Sequence, residues 1–333
     1  MGRRFIAELT EGERIDAVFA LAARELRAAR TGDTYLALEL SDRTGRVNAV
    51  MFRPTPDAAA IPAGTVVRVR GAATVYRGIL RVTATAMREV RQYDPADLIP
   101  SGTRDQAELL SGMRVLVKSV TDPGFSAVVR SVFADSSFMK RFKACPASQA
   151  YHHAYIGGLM EHTVGVASLC QALCGLYPHA DADLLLAGAL LHDVGKVDEL
   201  EYTTGIGYTD DGRMIGHVVL GERRVRAAIE SLGSVVSHEA GTRLSHVLLA
   251  HHGELEWGSP KRPCTLEALM LHHADNLDAK TAGFIAAAAS ASRIEEPWTD
   301  AGNLFRRPLW APRALEDDRP AAPVEDGQYA LIA

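Results

Sequence analysis

Lysine is absent from residues 1–92, a stretch that nonetheless holds 15 Arg against 10 Asp or Glu, a balance of +5. The whole chain of 333 residues carries −5, so the remainder carries −10. A basic module joined to an acidic one suits a first module that faces a polyanion; a merely solvated β surface is the plain alternative. Histidine is absent from the first 151 residues and the last 60, although the chain has 12. A random scatter would not empty both ends. Cysteine is scarce, with four scattered residues, Cys145, Cys170, Cys174 and Cys264. That excludes a disulfide framework and places the chain in the cytoplasm. Cys170 and Cys174 lie one helical turn apart and read as small core residues. No apolar stretch is expected to reach the length of a membrane span. The start, "MGRRFIAELTEGERI", turns acidic at once and lacks the apolar centre of a signal peptide. Gly2 fits a myristoylation signal poorly. No internal repeat is evident.

What is present divides into four stretches. Apolar content of 47% and charged content of 23% are ordinary for globular domains, and the length suits two of them. Residues 1–92 read as β-rich: "TYLALELSDRTGRVNAVMF" alternates apolar and polar residues on both sides of a turn. "TVVRVRGAATVYRGILRVTATAMREV" holds two more such runs with "YRG" between them. Short strands, Gly-marked turns and a short helical piece suit a small all-β barrel of the OB-fold type. Its candidates for stacking on a single strand are Tyr35, Phe52 and Tyr76. Its candidates for phosphate contact are Arg46, Arg53, Arg68, Arg77 and Arg81. For each aromatic, core packing is the competing reading. "YDPADLIPSG" over 93–102 reads as a linker. Residues 103–292 read as an all-α bundle. Residues 293–333 read as an extended, partly ordered tail, with Trp298, Phe305 and Trp310 able to anchor it on the domain or on a partner subunit of a homo-oligomer.

All 12 histidines fall between residues 152 and 273. Imidazole and carboxylate together suit Mn, Fe, Zn and related ions. His162 stands in "GGLMEHTVGVA". His192 and Asp193 end "DADLLLAGALLHD". His217 opens a helix after Gly216, His251 ends "SHVLLAHHG", and Asp275 stands in "LEALMLHHADNLDAK". Five helices could converge these groups in one bundle interior. Asp193 could bridge two ions. His162, His192 and Asp275 could complete the shell of one, and His217 and His251 that of the other. Such a pair can clamp a phosphodiester and activate a water. Lys196 could reach a non-bridging phosphate oxygen, and Gly195 could let the backbone turn at the helix end. The competing reading is a core histidine with a capping aspartate. His179, His238, His246, His252 and His272 read as packed histidines. The Gly157–Gly158 pair permits close backbone approach. His152, His153 and Tyr155 could line a substrate channel. Lys140, Arg141 and Lys143 could meet an incoming strand, with a solvated face as the alternative. Trp257 and Lys261 could shape the mouth.

His162, then His192-Asp193, then Asp275 resembles the HD-domain superfamily of metal-dependent phosphohydrolases over residues 150–285. The wording "HHAYIGGLMEHT", "LLHDVGK", "AHHGELEWGSPKRP" and "ALMLHHADNLDAK", with "DRTG" beside "YLALEL", is similar to the YhaM family. Those proteins join an N-terminal OB-fold to an HD domain and act as 3′-to-5′ exoribonucleases, usually with manganese. The resemblance implies metal ligation by His162, His192, Asp193 and Asp275, with His217 and His251 matching the histidines of two-ion HD proteins. It implies a hydrolase that removes nucleoside monophosphates from single-stranded RNA, with single-stranded DNA as a second substrate to test, by a metal-activated water. Manganese is the expected ion, with Fe, Mg, Co or Zn as substitutes, and no membrane partner is expected. Asp193 and Lys196 are the expected catalytic residues. The rival is a phosphohydrolase of a small nucleotide or cyclic dinucleotide, its barrel used for assembly. A further rival, a binding protein with a vestigial site, is weakened because every ligand is present. The Arg-rich, Lys-free barrel with few aromatics on its expected face departs from a strong RNA-binding surface.

Overall fold

The computed structural model describes residues 4–28, 34–76, 78–102, 104–149, 152–291, 297–299 and 301–311. Arg77, an expected phosphate contact, lies outside them. The period-two alternation of the first stretch becomes five strands: β1 (Arg14–Ala28), β2 (Thr34–Asp42), β3 (Gly45–Phe52), β4 (Val66–Tyr76) and β5 (Ile79–Glu89). They close a barrel in the order β1-β2-β3-β5-β4. Inward positions such as Phe19, Leu36, Leu40, Val67 and Val82 are fully buried. A short helix, α1 (Pro56–Ala60), bridges β3 and β4. The barrel bends where β4 shifts register at Gly71, whose missing Cβ makes room for the Thr83 carbonyl.

Residues 93–102 are more than a linker. Leu98 and Ile99 are buried in a small cluster with Val18, Val66 and Val90 of the barrel and with Ile156, Tyr202 and Ile206 of the helical region. Pro and Gly break the periodicity here, yet the two aliphatic side chains find a dry pocket, which stabilises the junction by about 2 kcal/mol per buried side chain. Ser101 then pairs with Ile156 through an isolated bridge.

The helical region holds α2 (Gln106–Ser119), α3 (Pro123–Ala134), α4 (Ser136–Ala144), α5 (Gly158–Leu176), α6 (Ala182–Leu191), α7 (Lys196–Glu199), α8 (Asp210–Met214), α9 (His217–Leu232), α10 (His238–Ala250) and α11 (Leu266–Ala291). The expectation of a purely α region needs one correction. Between α7 and α8 the chain makes a two-stranded ribbon, β6 (Leu200–Glu201) with β7 (Gly207–Tyr208). Four helices begin on an aspartate whose side chain accepts backbone N–H bonds: Asp105, Asp122, Asp135 and Asp181. Each such cap contributes about 1 kcal/mol. Every residue of α6 from Leu184 to Leu191 is buried. A helix apolar on all sides belongs in a centre, and this one delivers His192 and Asp193 there.

One helix, Gly158–Leu176, is long and apolar enough to cross a membrane, contrary to the expectation that no stretch reaches that length. It belongs to the bundle core. Leu159, Met160, Val166, Ala167 and Cys170 pack with residues of α6 and α2, and buried His162 lies on it.

The chain separates into two compact units, Met1–Ala279 and Lys280–Ala333. Within the second, Trp298 and Trp310 pair across an antiparallel bridge with rings 5.2 Å apart. Phe305 packs on Phe284 at 5.8 Å, and Ala288 and Ala311 are buried together. Of the three aromatics expected to anchor a tail, Trp298 and Trp310 thus meet each other, and Phe305 meets Phe284 of α11.

Candidate metal centre and nucleic-acid face

Five imidazoles share one arrangement. Each rests its Nδ1 on an acceptor: Ala189 O for His192 at 2.8 Å, Leu248 O for His251 at 2.7 Å, Trp257 O for His252 at 2.9 Å, Asp278 Oδ2 for His162 at 2.7 Å and Glu199 Oε1 for His217 at 2.9 Å. A carbonyl or carboxylate only accepts, so each Nδ1 carries the hydrogen and donates it. In the neutral ring that leaves an Nε2 lone pair, and all five point inward. This outward anchoring of metal-binding imidazoles fixes their orientation and raises their basicity.

The Nε2 atoms meet carboxylates in two groups. His162 Nε2 lies 3.2 Å from His192 Nε2, 3.4 Å from Asp193 Oδ2 and 3.1 Å from Asp275 Oδ1. His192 Nε2 lies 3.3 Å from Asp193 Oδ2 and 4.0 Å from Asp275 Oδ1. On the other side, His217 Nε2 lies 3.2 Å from His252 Nε2 and 3.4 Å from Asp193 Oδ1, and His251 Nε2 lies 3.8 Å from the same oxygen. The two oxygens of Asp193 therefore face two different sets. Asp193 Oδ1 and His251 Nε2 are buried without a hydrogen-bond partner. Lys196 Nζ stands 2.6 Å from Asp193 Oδ2 as an ion pair. A buried carboxylate oxygen without a hydrogen bond, as Asp193 Oδ1 is, is costly unless a cation sits beside it. Lone pairs aimed at one another 3.2 Å apart repel unless a proton or metal lies between. The donor set, imidazole nitrogen with carboxylate oxygen, suits a divalent first-row ion.

The charges respond accordingly. Burial alone would raise the Asp193 pKa, but the Lys196 ammonium and the His192 and His162 rings hold it well below the usual carboxylate range. Burial opposes a charged His162, yet Asp193, Asp275 and Asp278 push its pKa well above normal. Burial, and then the neighbouring His252 and His192, hold His251 well below. Burial and then His217 hold His252 at about 4.

All six expected ligands lie together here: His162, His192, Asp193, His217, His251 and Asp275. His252, read as a packed histidine, joins them. The helix α10 ends at Ala250, His251 caps it with helical backbone angles, and His252 follows in the turn, where both rings come together with His217. Asp278 and Glu199 were missed. Asp278 lies one turn beyond Asp275, and Gly165 lies one turn beyond His162. A side chain on Gly165 would collide with the Asp278 carboxylate. Those two i+3 spacings were the available signal. Glu199 gave none. Gly195 serves a different purpose from the turn expected of it. Its backbone is ordinary right-handed helix, and what it supplies is space for the His217 carbonyl of α9.

Gly157, at φ +84°, starts α5, and its neighbour Gly158 leaves room for the His153 carbonyl. This loop seats the expected channel residues. His153 Nδ1 pairs with the Tyr155 hydroxyl at 2.7 Å, and its Nε2 pairs with Asp278 at 3.0 Å. Tyr155 donates to Glu161 at 2.8 Å. The His152 ring stands 5.4 Å from that of His162, and burial, then Lys196 and His162, hold it neutral with a pKa of about 3. Arg141 does not face an incoming strand: it binds Val197 O and Asp198 behind the Lys196 helix. Lys140 is exposed, and Lys143 lines a separate furrow. Trp257 is exposed with its ring 5.8 Å from that of His272, and Lys261 is exposed.

On the barrel, Tyr35 and Phe52 are cross-strand partners with rings 5.9 Å apart. Tyr76 is exposed, with the Arg81 guanidinium 4.3 Å over its ring. Ala49 faces Val82 and Met51 faces Ala84, so Phe52 and Arg81 stand at different levels of the barrel. Arg46 is paired with Glu39 at 2.6 Å and Arg68 with Asp16 at 2.6 Å, both at the surface. Arg53 ends β3 with φ +50°.

A family model described as an OB-fold nucleic acid binding domain matches residues 21–90, and one described as an HD domain matches residues 159–280. Fold and site together define a multidomain HD-domain hydrolase with an OB-fold at its front. The 3′-5′ exoribonuclease YhaM of Geobacillus sp. (strain WCH70) is 32% identical over 273 residues, 81% of this chain and 83% of its own. That of Bacillus velezensis is 32% identical over the same length, 86% of its own. The chain belongs to the YhaM family of 3′-5′ exoribonucleases. Among solved structures, the second OB-fold domain of replication protein A from Methanococcus maripaludis is similar over 28% of this chain and 98% of its own, at 15% identity and a TM-score of 0.24.

Proposed function

We propose that this chain shortens single-stranded RNA from its 3′ end, releasing nucleoside monophosphates, with two divalent ions, manganese first among them. The observation that carries the reading is Asp193, whose two buried oxygens each face a separate group of inward Nε2 atoms. His162, His192, Asp193 and Asp275 would hold one ion, and His217, His251, His252 and Asp193 the other. Bound there, such ions supply Lewis acidity toward a phosphodiester and lower the pKa of water.

The chain's own groups do the rest. Asp278 and Glu199 fix the rings of His162 and His217 from behind. Lys196, held by Asp193, keeps a positive charge at the floor of the site for a non-bridging phosphate oxygen. His152 is a neutral imidazole beside the first ligand group, suited to donating a hydrogen bond to substrate. Tyr35, Phe52, Tyr76 and Arg81 give the barrel stacking rings and charge for strand contact. Manganese, the two-ion count and the choice of RNA over DNA belong to this reading, and so does assembly into a homo-oligomer.

The test is an end-labelled single strand incubated with and without manganese, with products resolved by length. Stepwise shortening from the 3′ end is expected, abolished by chelator and reduced about a thousandfold or more in Asp193→Ala, with circular dichroism retained. Intact RNA beside cleaved small nucleotides would favour the small-nucleotide phosphohydrolase instead.

A further inference from the structure

The helices α2, α3 and α4 lie outside both family matches, which cover residues 21–90 and 159–280. Between them runs a furrow of about 650 Å³. Its floor is apolar: Leu110, Met113, Val117, Phe133 and Met139. Its rim carries Arg114, Lys118, Arg130 and Lys143, and among the described residues no carboxylate lines it. All four cations are exposed, and among the described residues none makes a hydrogen bond or an ion pair. Residues 93–333 carry −10 overall, so four unpaired cations on one furrow run against the local balance. Three other exposed arginines named above, Arg46, Arg68 and Arg141, are each held by a carboxylate.

The helices that wall the furrow are tied at one end to the loop beside the catalytic region. Lys143 precedes Ala144, whose carbonyl accepts Gly157 N–H at 3.2 Å, and the Cys145 carbonyl accepts Leu159 N–H at 2.9 Å. The loop between these contacts bears His152, His153 and Tyr155. The other wall starts at the same place, because the Gln106 side chain fills the space beside Gly157. From there α2 carries Leu110 through Lys118 along the furrow, a run of about 12 Å at 1.5 Å per residue.

We infer that this furrow is a track for the single-stranded RNA substrate, gripping its phosphates just beyond the active site; this rests on the nuclease reading above. Phe133 is already packed against Phe138 and Phe142, at 6.1 and 5.3 Å, so the floor offers no free ring for base stacking. The grip is electrostatic and indifferent to sequence, as a strand that must advance after each cut requires. An acidic, apolar peptide is the rival occupant.

The test combines Arg114→Gln, Lys118→Gln, Arg130→Gln and Lys143→Gln in the full chain. Binding of a labelled oligoadenylate of about 24 nucleotides, longer than the roughly 4–16 covered by one OB-fold, is measured by anisotropy in chelator over a range of salt. The plot of log affinity against log salt should become shallower by about 2 to 3, near 0.7 for each lost contact, with at least about a tenfold loss of affinity near physiological salt. An unchanged slope and affinity in a folded variant overturns the track. Independently, a 4-thiouridine strand should cross-link to peptides spanning 106–119 and 136–144; cross-links to the barrel alone overturn it too. Unchanged RNA binding with loss of binding to a leucine–glutamate peptide would hand the furrow to a protein partner. A wild-type chain that binds the strand through these residues but never shortens it strikes the nuclease reading and spares the track.

Discussion

The barrel and the bundle handle charge in opposite ways. On the barrel, Arg68 and Arg70 share Asp16, Arg46 meets Glu39, and Arg27 meets Glu25, all at the surface. Water already solvates those groups, so pairing adds little. In the bundle, Asp193, His162, His192 and His251 are buried completely or nearly so. There each charge must be answered by another group or by an ion, because water is excluded. The difference shows where specific chemistry can be read from structure. A paired surface arginine is compatible with many uses, whereas a buried carboxylate oxygen that faces only imidazole nitrogens, as Asp193 Oδ1 does, points to a cation.

The sharpest way to break this comparison is at Asp278. Asp278→Ala should weaken divalent-ion binding about 10- to 100-fold, because His162 loses the acceptor that orients it. Isothermal titration with manganese reads this without any substrate, and Asp278→Asn, which keeps an acceptor oxygen, should recover part of the loss. Equal ion affinity in Asp278→Ala would show that the ring needs no support from behind.

On the barrel the expected effect is smaller. Tyr76→Ala should cost about tenfold in affinity for a long single strand, within the range of one lost stacking contact, while manganese affinity stays unchanged. A change in ion affinity would mean that the two regions do not divide their labour in this way.

The smallest effect is the response of stability to pH in chelator. Burial holds His152 at about 3 and His252 at about 4, and holds His251 well below normal. In the unfolded chain these groups protonate near 6.5. Their folded pKa values are depressed, so the unfolded state binds more protons as pH falls, and their stabilisation is lost between about 6.5 and 4. The raised pKa of His162 works in the opposite direction, with stabilisation present below about 6.5 and lost as pH rises through its folded value. Three groups oppose one, so the urea midpoint should decline from pH 7 to pH 5. The barrel contains no histidine, so hydrogen exchange should place the change in the bundle. A midpoint that rises on acidification would contradict the assignment.

Much of the site was legible because its residues are chemically distinctive and close in sequence. His192 and Asp193 end an apolar run, and the emptiness of both chain ends in histidine pointed to one constellation. His252 escaped because neighbouring residues diverge on a regular helix, whereas this helix stops one residue before the pair. Asp278 looked like a surface acid until its partner across the bundle, and the gap left by Gly165, came into view. The strands followed from alternation, but alternation does not tell which arginines are already claimed: Asp16 stands 52 residues before Arg68. Leu98 and Ile99 were hidden inside a stretch whose Pro and Gly suggested open chain.

Lys196 has a consequence for the order of assembly. Its ammonium lies 2.6 Å from Asp193 Oδ2, and its own pKa is raised because Asp193 and Asp275 outweigh the burial that opposes it. The polypeptide thus brings its own counter-ion into the most acidic part of its interior. Many small zinc-dependent domains stay unfolded until metal arrives. Here the interior can close first, and loading can follow as a separate event, with lysine already neutralising the carboxylate on which both ligand groups depend.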